Sequence, residues 1–191
     1  MVGSSLPTFR HAFRLIHGHF NRPIADGNMC IVDEHAERLW LPQRHVPAVK
    51  AMLARHRIAN SQLTIADLKR FVAGADVFSK QSDGSTVASQ YGKLGISLRC
   101  ANTDRVNGWA EILHRLGDPG NGVAPRLFIH ERCARLVECL PSLQHDPNRP
   151  EDVLKVDVDE DGVGGDDAAD CFRYLVATKL RAISQRKLRG L

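Results

Sequence analysis

A dense acidic run over residues 157–170, leading directly into a helical pattern, constrains this chain more than any other feature. Carboxylates so closely spaced repel one another, so the fold must offset them with solvent, a helix N-terminus or a divalent metal. If the helix begins near Ala168, Asp166 and Asp167 lie within about one turn of Asp170. Helix capping explains one such aspartate but not three in five residues, so we expect a metal site here. The alternative is a solvated, capped start of the helix.

The charge of the chain is distributed unevenly. Residues 151–170 hold nine acidic residues and one basic residue, a net charge of −8, while the whole chain carries +4, so the remainder carries +12. A basic body around an acidic locus suits a metal-dependent enzyme that acts on phosphodiesters, because the bases hold the polyanion and the carboxylates hold the metal. The segment 171–191 has six basic residues and no acidic ones. Its candidate DNA contacts, unless the segment is only a soluble helix tail, are Lys179, Arg181, Arg186 and Lys187.

Length and composition indicate a single domain, residues 1–191. A chain of 191 residues that is 43% hydrophobic and 25% charged is long enough to form a well-packed core. No stretch approaches the roughly 18 apolar residues that a membrane span needs, and the N-terminal residues lack the apolar segment of a signal peptide. We therefore expect a protein of the bacterial or host-cell cytoplasm. The five cysteines are odd in number and include no C-x-x-C pair, which argues against a disulfide framework and a zinc knuckle.

The hydrophobic patterns predict an α/β fold with a mixed central sheet flanked by helices. We expect the first strands to form an antiparallel meander and residues 71–73 to form a strand beside the first one. Breaker residues close the helices of the second half, at Gly95, Gly117 and Pro141. The predicted strands are 13–20, 29–32, 38–41, 68–74, 96–100 and 126–129, with a hairpin joining 29–32 to 38–41; the predicted helices are 48–56, 86–94, 108–116, 133–140 and one that follows Asp166.

An ordered series of segments in the second half carries a family resemblance. The segments are AGADVF at 73–78, ANTDRVNGW at 101–109, RLFI at 126–129, CARLVECL at 133–140, HDP at 145–147, RPED at 149–152, and DDAAD at 166–170 with Arg173 and Tyr174. In order and spacing over residues 70–178, the series resembles the nuclease domain of the large terminase subunit of tailed bacteriophages. That domain has a ribonuclease-H-like fold, which we therefore expect here.

The resemblance implies a metal-dependent endonuclease that cuts concatemeric viral DNA during genome packaging. Such an enzyme uses two divalent ions, Mg²⁺ or Mn²⁺, held by carboxylates from the first strand, a central strand and the last helix. By resemblance, Asp76 is the central ligand, Asp166 and Asp167 are the C-terminal ligands, and all three are catalytic. Asp170 lies nearby as a further metal ligand. The implied partners are double-stranded DNA, the terminase ATPase part, and the portal or the small terminase subunit.

The first strand departs from the family pattern, because His17 stands where the family has a carboxylate. Imidazole ligates Mn²⁺ but is a poor ligand for Mg²⁺ and cannot bridge two ions. Three interpretations stay open: the metal site is impaired and uses His17, it recruits Asp26 or Asp33, or the chain is a non-catalytic DNA-binding or assembly module or prophage remnant of the same fold. No G-x-x-x-x-G-K-[ST] motif occurs, so the packaging ATPase is not in this chain.

Two further segments have competing interpretations. We expect Arg105 to contact DNA phosphate or an active-site carboxylate, whereas capping of the following helix explains Asp104 and Asn107 equally well. Residues 157–162 match the first half of a calcium-binding EF-hand loop. The twelfth position of that loop is Ala168 where a bidentate glutamate is required, so a calcium-binding loop is the lesser alternative.

Overall fold

The computed structural model describes residues 10–17, 28–58, 61–68, 71–157 and 165–178, and these have a mixed α/β fold. The strands are β1 Arg10–His17, β2 Met29–Arg38, β3 Arg57–Ile58, β4 Ser61–Gln62, β5 Phe71–Ala73, β6 Leu98–Cys100, β7 Leu127–Ile129, β8 His145–Asp146 and β9 Arg149–Val153. The α-helices are α1 Pro42–Ala54, α2 Val87–Lys93, α3 Arg105–Leu116, α4 Ala134–Ser142 and α5 Asp167–Ala177. The predicted α/β fold class is confirmed, as a mixture of helices and small parallel and antiparallel sheets.

The described strands form small sheets of mixed direction. One sheet has the order β1–β2–β7, with β1 antiparallel and β7 parallel to β2. β5 and β6 pair in parallel, with α2 in the connection between them, as parallel strands require a crossover. The pairs β3–β4 and β8–β9 are short antiparallel hairpins.

A bulge in β2 decides which side chains face α1. Leu15 of β1 pairs with Asp33, but the next residue, Ile16, pairs with Ile31, so Val32 is an extra residue without a partner in β1. An extra residue resets the alternation of a strand and re-aims the side chains beyond it. Asp33 therefore reaches the end of α1, although it lies only two residues from Ile31 of the opposite core.

Two separate hydrophobic clusters form the interior of the described residues. The first lies among β2, β7, α3, α4 and α5, and its largest members are Ile31, Trp109, Ile112, Leu127, Leu136, Phe172 and Val176. The second lies among α1, α2, β5 and β6, and its members include Val46, Val49, Met52, Leu53, Val77, Val87, Tyr91 and Ile96. Each fully buried aliphatic or aromatic side chain contributes about 1.5–3 kcal/mol, so both clusters contribute strongly to stability.

Local capping signals placed two helices close to their predicted bounds. Thr86 accepts a hydrogen bond from the backbone N–H of Ser89 at 2.9 Å and begins α2, and Gly95 follows its end with a positive φ of 92°. Asp104 accepts a hydrogen bond from the N–H of Asn107 at 3.1 Å and begins α3. Gly117, at φ 72°, ends α3 as expected.

Three predicted elements were wrong in their bounds or pairing. The hairpin expected over residues 29–41 is a single strand, β2, because tertiary contacts hold its polar residues 33–35. Among the described strands, β5 pairs with β6 and not with β1. α1 begins at Pro42, six residues before the predicted start, because proline suits the first helical position.

The close packing of α3 against α5 depends on the absence of a side chain at Gly108. A Cβ atom there would lie 2.6 Å from Cγ and 3.1 Å from Cδ of Arg173. Those atoms lie near the base of a side chain that is only 1% exposed, so they cannot move aside. Any larger residue at position 108 would have to push the two helices apart.

We predict that Gly108→Ala destabilises the protein by about 1–3 kcal/mol, the usual cost of overpacking a dense contact. The matched control is Gly92→Ala in α2, where a Cβ would meet no atom within 4 Å. That control should stabilise by ~0.5–1 kcal/mol, since alanine is the better helix former. Urea unfolding of both variants measures the effects, and equal changes at the two sites would contradict this account of the α3–α5 contact.

Candidate functional site

The candidate site lies at the N-terminus of α5, where the predicted acidic residues meet. Gly165, at φ 79°, turns the chain into the helix, and the N–H of Asp166 donates to the carbonyl of Val156 at 3.0 Å. The carbonyl of Asp166 accepts the first helical hydrogen bond, from the N–H of Asp170 at 2.8 Å. Asp166 is thus the N-cap residue, but its carboxylate makes no capping hydrogen bond.

The carboxylate of Asp166 is buried and incompletely satisfied. The residue is 2% exposed, and within the described residues its Oδ2 atom has no hydrogen-bond partner. Burial raises the pKa of Asp166, the neighbouring carboxylates of Asp170 and Asp167 raise it further, and the nearby Lys155 opposes them. The mutual repulsion of these closely spaced carboxylates therefore contributes to the raised pKa, with burial as the larger cause.

Asp170 is buried in a different environment, because two arginines neutralise it. Arg173, one turn along α5, donates from Nε to Asp170 Oδ1 at 3.1 Å. Arg105 donates from Nη1 to both carboxylate oxygens, at 3.3 and 3.4 Å. Both oxygens of this carboxylate thus accept charge-assisted hydrogen bonds from protein groups, without a metal. Asp170, predicted as a metal ligand, therefore serves first as the acceptor of an arginine pair.

Arg105 connects three elements through its guanidinium group. Its Nε donates to Asp152 of β9 at 3.0 and 2.9 Å, and its Nη2 donates to the carbonyl of Val153 at 2.8 Å. With the contact to Asp170, all three guanidinium nitrogens bond to protein acceptors. The expectation that Arg105 reaches a carboxylate of the site is confirmed, while a contact with DNA stays a prediction.

Arg173 is the most enclosed charge of the site. Its Nη1 donates to the carbonyls of Thr103 and Asp104 at 3.1 and 3.3 Å, and its guanidinium carbon lies 4.7 Å from the ring centroid of Tyr174. These carbonyls lead into α3, so Arg173 joins the start of that helix to Asp170. Sequence reasoning did not assign a role to Arg173, although its spacing of three from Asp170 on a helix was a usable signal.

Asp76 lies on the same side of the molecule as α5. It belongs to the 3₁₀ turn Ala75–Phe78 directly after β5, and its side chain is exposed. A Cβ on Gly74 would fall 2.5 Å from Asp76 Oδ1 and 3.3 Å from Cε2 of Tyr174, so the carboxylate and the ring are neighbours. The pKa of Tyr174 is raised by burial first, and by both Asp170 and Asp76.

The described residues form part of a metal site at most. Among them, no three His, Cys, Asp or Glu side chains are arranged to hold a metal ion together. Mg²⁺ in phosphoryl-transfer sites commonly takes one or two carboxylates and completes its shell with water and substrate phosphate. The buried Oδ2 of Asp166, which lacks a donor, fits such a ligand, whereas Asp170 with its two arginines fits poorly.

Several predicted site residues are placed elsewhere or lie outside the described part. β1 ends at His17, which pairs with Cys30, and the side chain of His17 is outside the description. Asp33, an alternative ligand, is bonded to Arg55 and His56. For the EF-hand alternative, strand β9 lies before the loop where an entering helix is required, and residues 158–164 of that loop are outside the described residues. Also outside the described residues are Asp26, Lys179, Arg181, Arg186 and Lys187.

Comparison of the chain with protein-family models, with curated proteins and with solved structures finds no match. In the described residues, every helix is too short or too polar to span a bilayer. The assignment of function therefore depends on the geometry of the site and on the sequence resemblance.

We predict that Asp166→Asn stabilises the protein at pH 7, by about 1 kcal/mol, the lower end of the cost of an unsatisfied buried polar group. Because the pKa of Asp166 is raised in the folded state, ionisation costs stability as pH rises above the ordinary carboxyl value of ~3.9, and the full cost persists at neutral pH. The gain should therefore vanish below about pH 4. Denaturant unfolding of both proteins at pH 3.5 and 7 measures it, and a loss of stability at pH 7 would contradict the burial argument.

Proposed function

We propose that this chain is a divalent-metal-dependent DNA endonuclease of the terminase large-subunit kind, with Asp166 as its principal metal ligand. The observation that carries the proposal is the buried Asp166 carboxylate, which has one oxygen without a donor in the described structure and two acidic neighbours. A buried polar atom without a hydrogen-bond partner calls for an explanation, and the usual ones are a bound ligand or a role in function. A cation is the partner that a desolvated carboxylate lacks.

The expected ligands are Asp166 and Asp167, with Asp76 contributing from the turn after β5. Asp76 is supported by its position beside Tyr174, whose pKa it raises together with Asp170. When bound, Mg²⁺ or Mn²⁺ supplies an activated water and stabilisation of the leaving oxygen. His17 would add a nitrogen ligand at the end of β1, which favours Mn²⁺ over Mg²⁺.

Arg105 and Arg173 orient the site without occupying it. They fix Asp170 between α3 and α5 and thereby hold the first turn of α5, which carries Asp166 and Asp167. Asp152 fixes Arg105 in turn, through two hydrogen bonds of 2.9 and 3.0 Å. Removing any member of this network would shift the acidic turn relative to β5.

The charge distribution supports DNA as the substrate. The acidic locus of residues 151–170 carries −8 within a chain whose remainder carries +12. Basic residues around a metal-binding locus attract the polyanion while the metal offsets repulsion at the cut phosphate. The proposal includes a ribonuclease-H-like arrangement, action in the cytoplasm, and the terminase ATPase part, portal or small subunit as partners.

A second candidate is a DNA-binding or assembly module of the same ancestry that no longer cleaves. The observation that favours it is the neutralisation of Asp170 by two arginines, since a carboxylate satisfied in this way needs no ion. The first-strand His17 favours it too. The two candidates differ in metal binding and cleavage, not in DNA binding.

We predict weak nicking of supercoiled plasmid by the native chain with Mn²⁺ and less with Mg²⁺, because Mn²⁺ accepts imidazole and irregular geometry. Asp166→Asn should lower the Mn²⁺ rate by at least about tenfold, with DNA affinity unchanged at fixed salt. The matched control is Glu131→Gln, which removes one exposed carboxylate outside the site. His17→Asp should increase nicking with Mg²⁺, and intact plasmid with both metals for both proteins would support the non-catalytic candidate.

We also predict that Mn²⁺ stabilises the native chain against unfolding and does not stabilise Asp166→Asn. A ligand that binds only the folded state adds roughly 1–3 kcal/mol at 10 to 100 times its dissociation constant. Thermal unfolding across a Mn²⁺ series, with Glu131→Gln again as control, makes the measurement without relying on cleavage. Equal Mn²⁺ stabilisation of the native chain and Asp166→Asn would place the ion elsewhere.

A further inference from the structure

The corner between β2 and α1 contains a histidine pair that the proposed nuclease does not use. Nε2 of His35 lies 3.0 Å from Nδ1 of His45, and the two rings meet edge to face at 5.2 Å between centroids. His45 is 0% exposed, and Trp40 packs on both rings at 5.5 and 5.6 Å. One nitrogen of the contact must donate and the other must accept, so the contact survives only if one facing nitrogen carries no proton.

The chain between the two elements is strained. Leu39 has a φ of 60°, and it is the only non-glycine residue with a positive φ in the described structure. A left-handed conformation is sterically unfavourable for a residue with a side chain, because Cβ comes too close to the backbone carbonyl oxygen. Leu39 is also 73% exposed, so its own side chain gains little from burial. The strain is therefore held by the neighbouring contacts of Trp40 with the histidine pair and with Arg44, whose guanidinium carbon lies 4.0 Å from the ring centroid.

The C-terminal end of α1 is anchored by a different kind of contact, between a histidine, an arginine and a carboxylate. Nε2 of His56 lies 2.8 Å from Oδ2 of Asp33, and Arg55 donates to the same carboxylate at 2.9–3.2 Å. An imidazole that donates to a carboxylate needs no bare nitrogen in the contact, so this anchor does not depend on an unprotonated facing nitrogen as the His35–His45 contact does.

We propose that the His35–His45 pair is an acid-released clamp, which lets the N-terminal half of α1 detach from β2 while the C-terminal end stays attached. In the closed state the pair holds at most one added proton, because two would bring two N–H groups and two like charges together in a buried contact. In the open state both imidazoles take a proton. The relaxation of Leu39 and the fixed Asp33–His56 contact define what moves and what does not.

The charges around the pair agree with this direction. Burial lowers the pKa of His35, Glu37 raises it from the same strand, and Arg55 lowers it from the end of α1. A group whose pKa is lowered by folding contributes stability above its ordinary pKa of ~6.5 and loses it as pH falls below that value. Two further charged residues were named above. The carboxylate of Asp33 accepts hydrogen bonds from Arg55, and the guanidinium of Arg44 lies over the ring of Trp40.

The test is amide hydrogen exchange of the full chain at pH 7.5 and 5.0, corrected for the intrinsic rates. We expect protection of residues 43–50 to fall about tenfold or more at pH 5.0, since a histidine excluded from protonation favours the open state by up to ~30-fold there. Protection of residues 52–56 should change less than about twofold, because acid does not weaken the anchor. A uniform loss along the whole helix, or no loss, would overturn the proposal.

The matched variant combines His35→Gln with His45→Asn. Each substitution places a side-chain amide where the contacting imidazole nitrogen lay, and neither amide titrates. Its protection at residues 43–50 should not depend on pH, and an undiminished pH response would overturn the clamp. If this variant does not fold at pH 7.5, NMR titration of the native imidazoles decides. Opening must then follow the titration of His35 and His45. Opening that follows carboxyl protonation below about pH 4.5 would refute the histidine pair as its cause.

Discussion

The ion network of Arg173, Asp170, Arg105 and Asp152 is the interaction on which the arrangement of the second half depends. Buried charges are costly to desolvate and stabilise a fold only when each has a partner of good geometry. Here the two arginines and two aspartates balance one another, and they connect α5, α3 and β9. Backbone carbonyls at 103, 104 and 153 accept the remaining donors. The absence of a side chain at Gly108 follows from this network, because the stem of Arg173 occupies the space where a Cβ would stand.

The same network leaves Asp166 as a buried carboxylate with one oxygen that accepts no hydrogen bond in the described structure. The arginines of this region are hydrogen-bonded to Asp170 and Asp152, and the positive charge of Lys155 lowers the pKa of Asp166 without offsetting the effect of burial. Such a group lowers stability at neutral pH, so its retention needs an explanation outside folding. A cation-binding role is the explanation that removes the cost, because a bound ion would satisfy the bare oxygen and screen Asp167 and Asp170 together. Within one acidic run, Asp170 is thus distinguished from Asp166, the proposed metal ligand, by its arginine partners and not by its position in the sequence.

Sequence reasoning succeeded where the signal was local and failed where it was tertiary. The bounds of α2 and the end of α3 followed from Thr86, Gly95 and Gly117, which act within one turn of themselves. The start of α3 was missed, since the helix begins at Arg105 after the Asp104 cap and not at residue 108. The start of α5 and the raised pKa within its acidic turn were also predictable, because spacing on a helix fixes proximity. The single strand β2 was missed, since its polar centre looks like a turn until Arg55, His56 and the N-terminus of α4 supply partners. The contact of Arg105 with Asp152, 47 residues apart, carries no local signal at all.

The candidate nuclease site and the histidine clamp lie beside different hydrophobic clusters. The candidate nuclease site lies on α5, α3 and β9, which pack on the first core, whereas the histidine clamp lies between β2 and α1 beside the second. Among the side chains that the structure describes, those of β2 contribute to both cores, through Ile31 on one side and Val32 on the other, at the bulge. A proton taken up at His35 and His45 therefore acts on the second core without altering the hydrogen bonds that hold Asp170. One route of coupling between the regions is the bulge, where Ile31 is fully buried and leaves little freedom for a shift along the strand. A second route is the approach of Asp76, directly after β5, to the ring of Tyr174 in α5. Because close-packed contacts at the bulge resist small displacements, a change at one region reaches the other through β2 only if the strand itself moves.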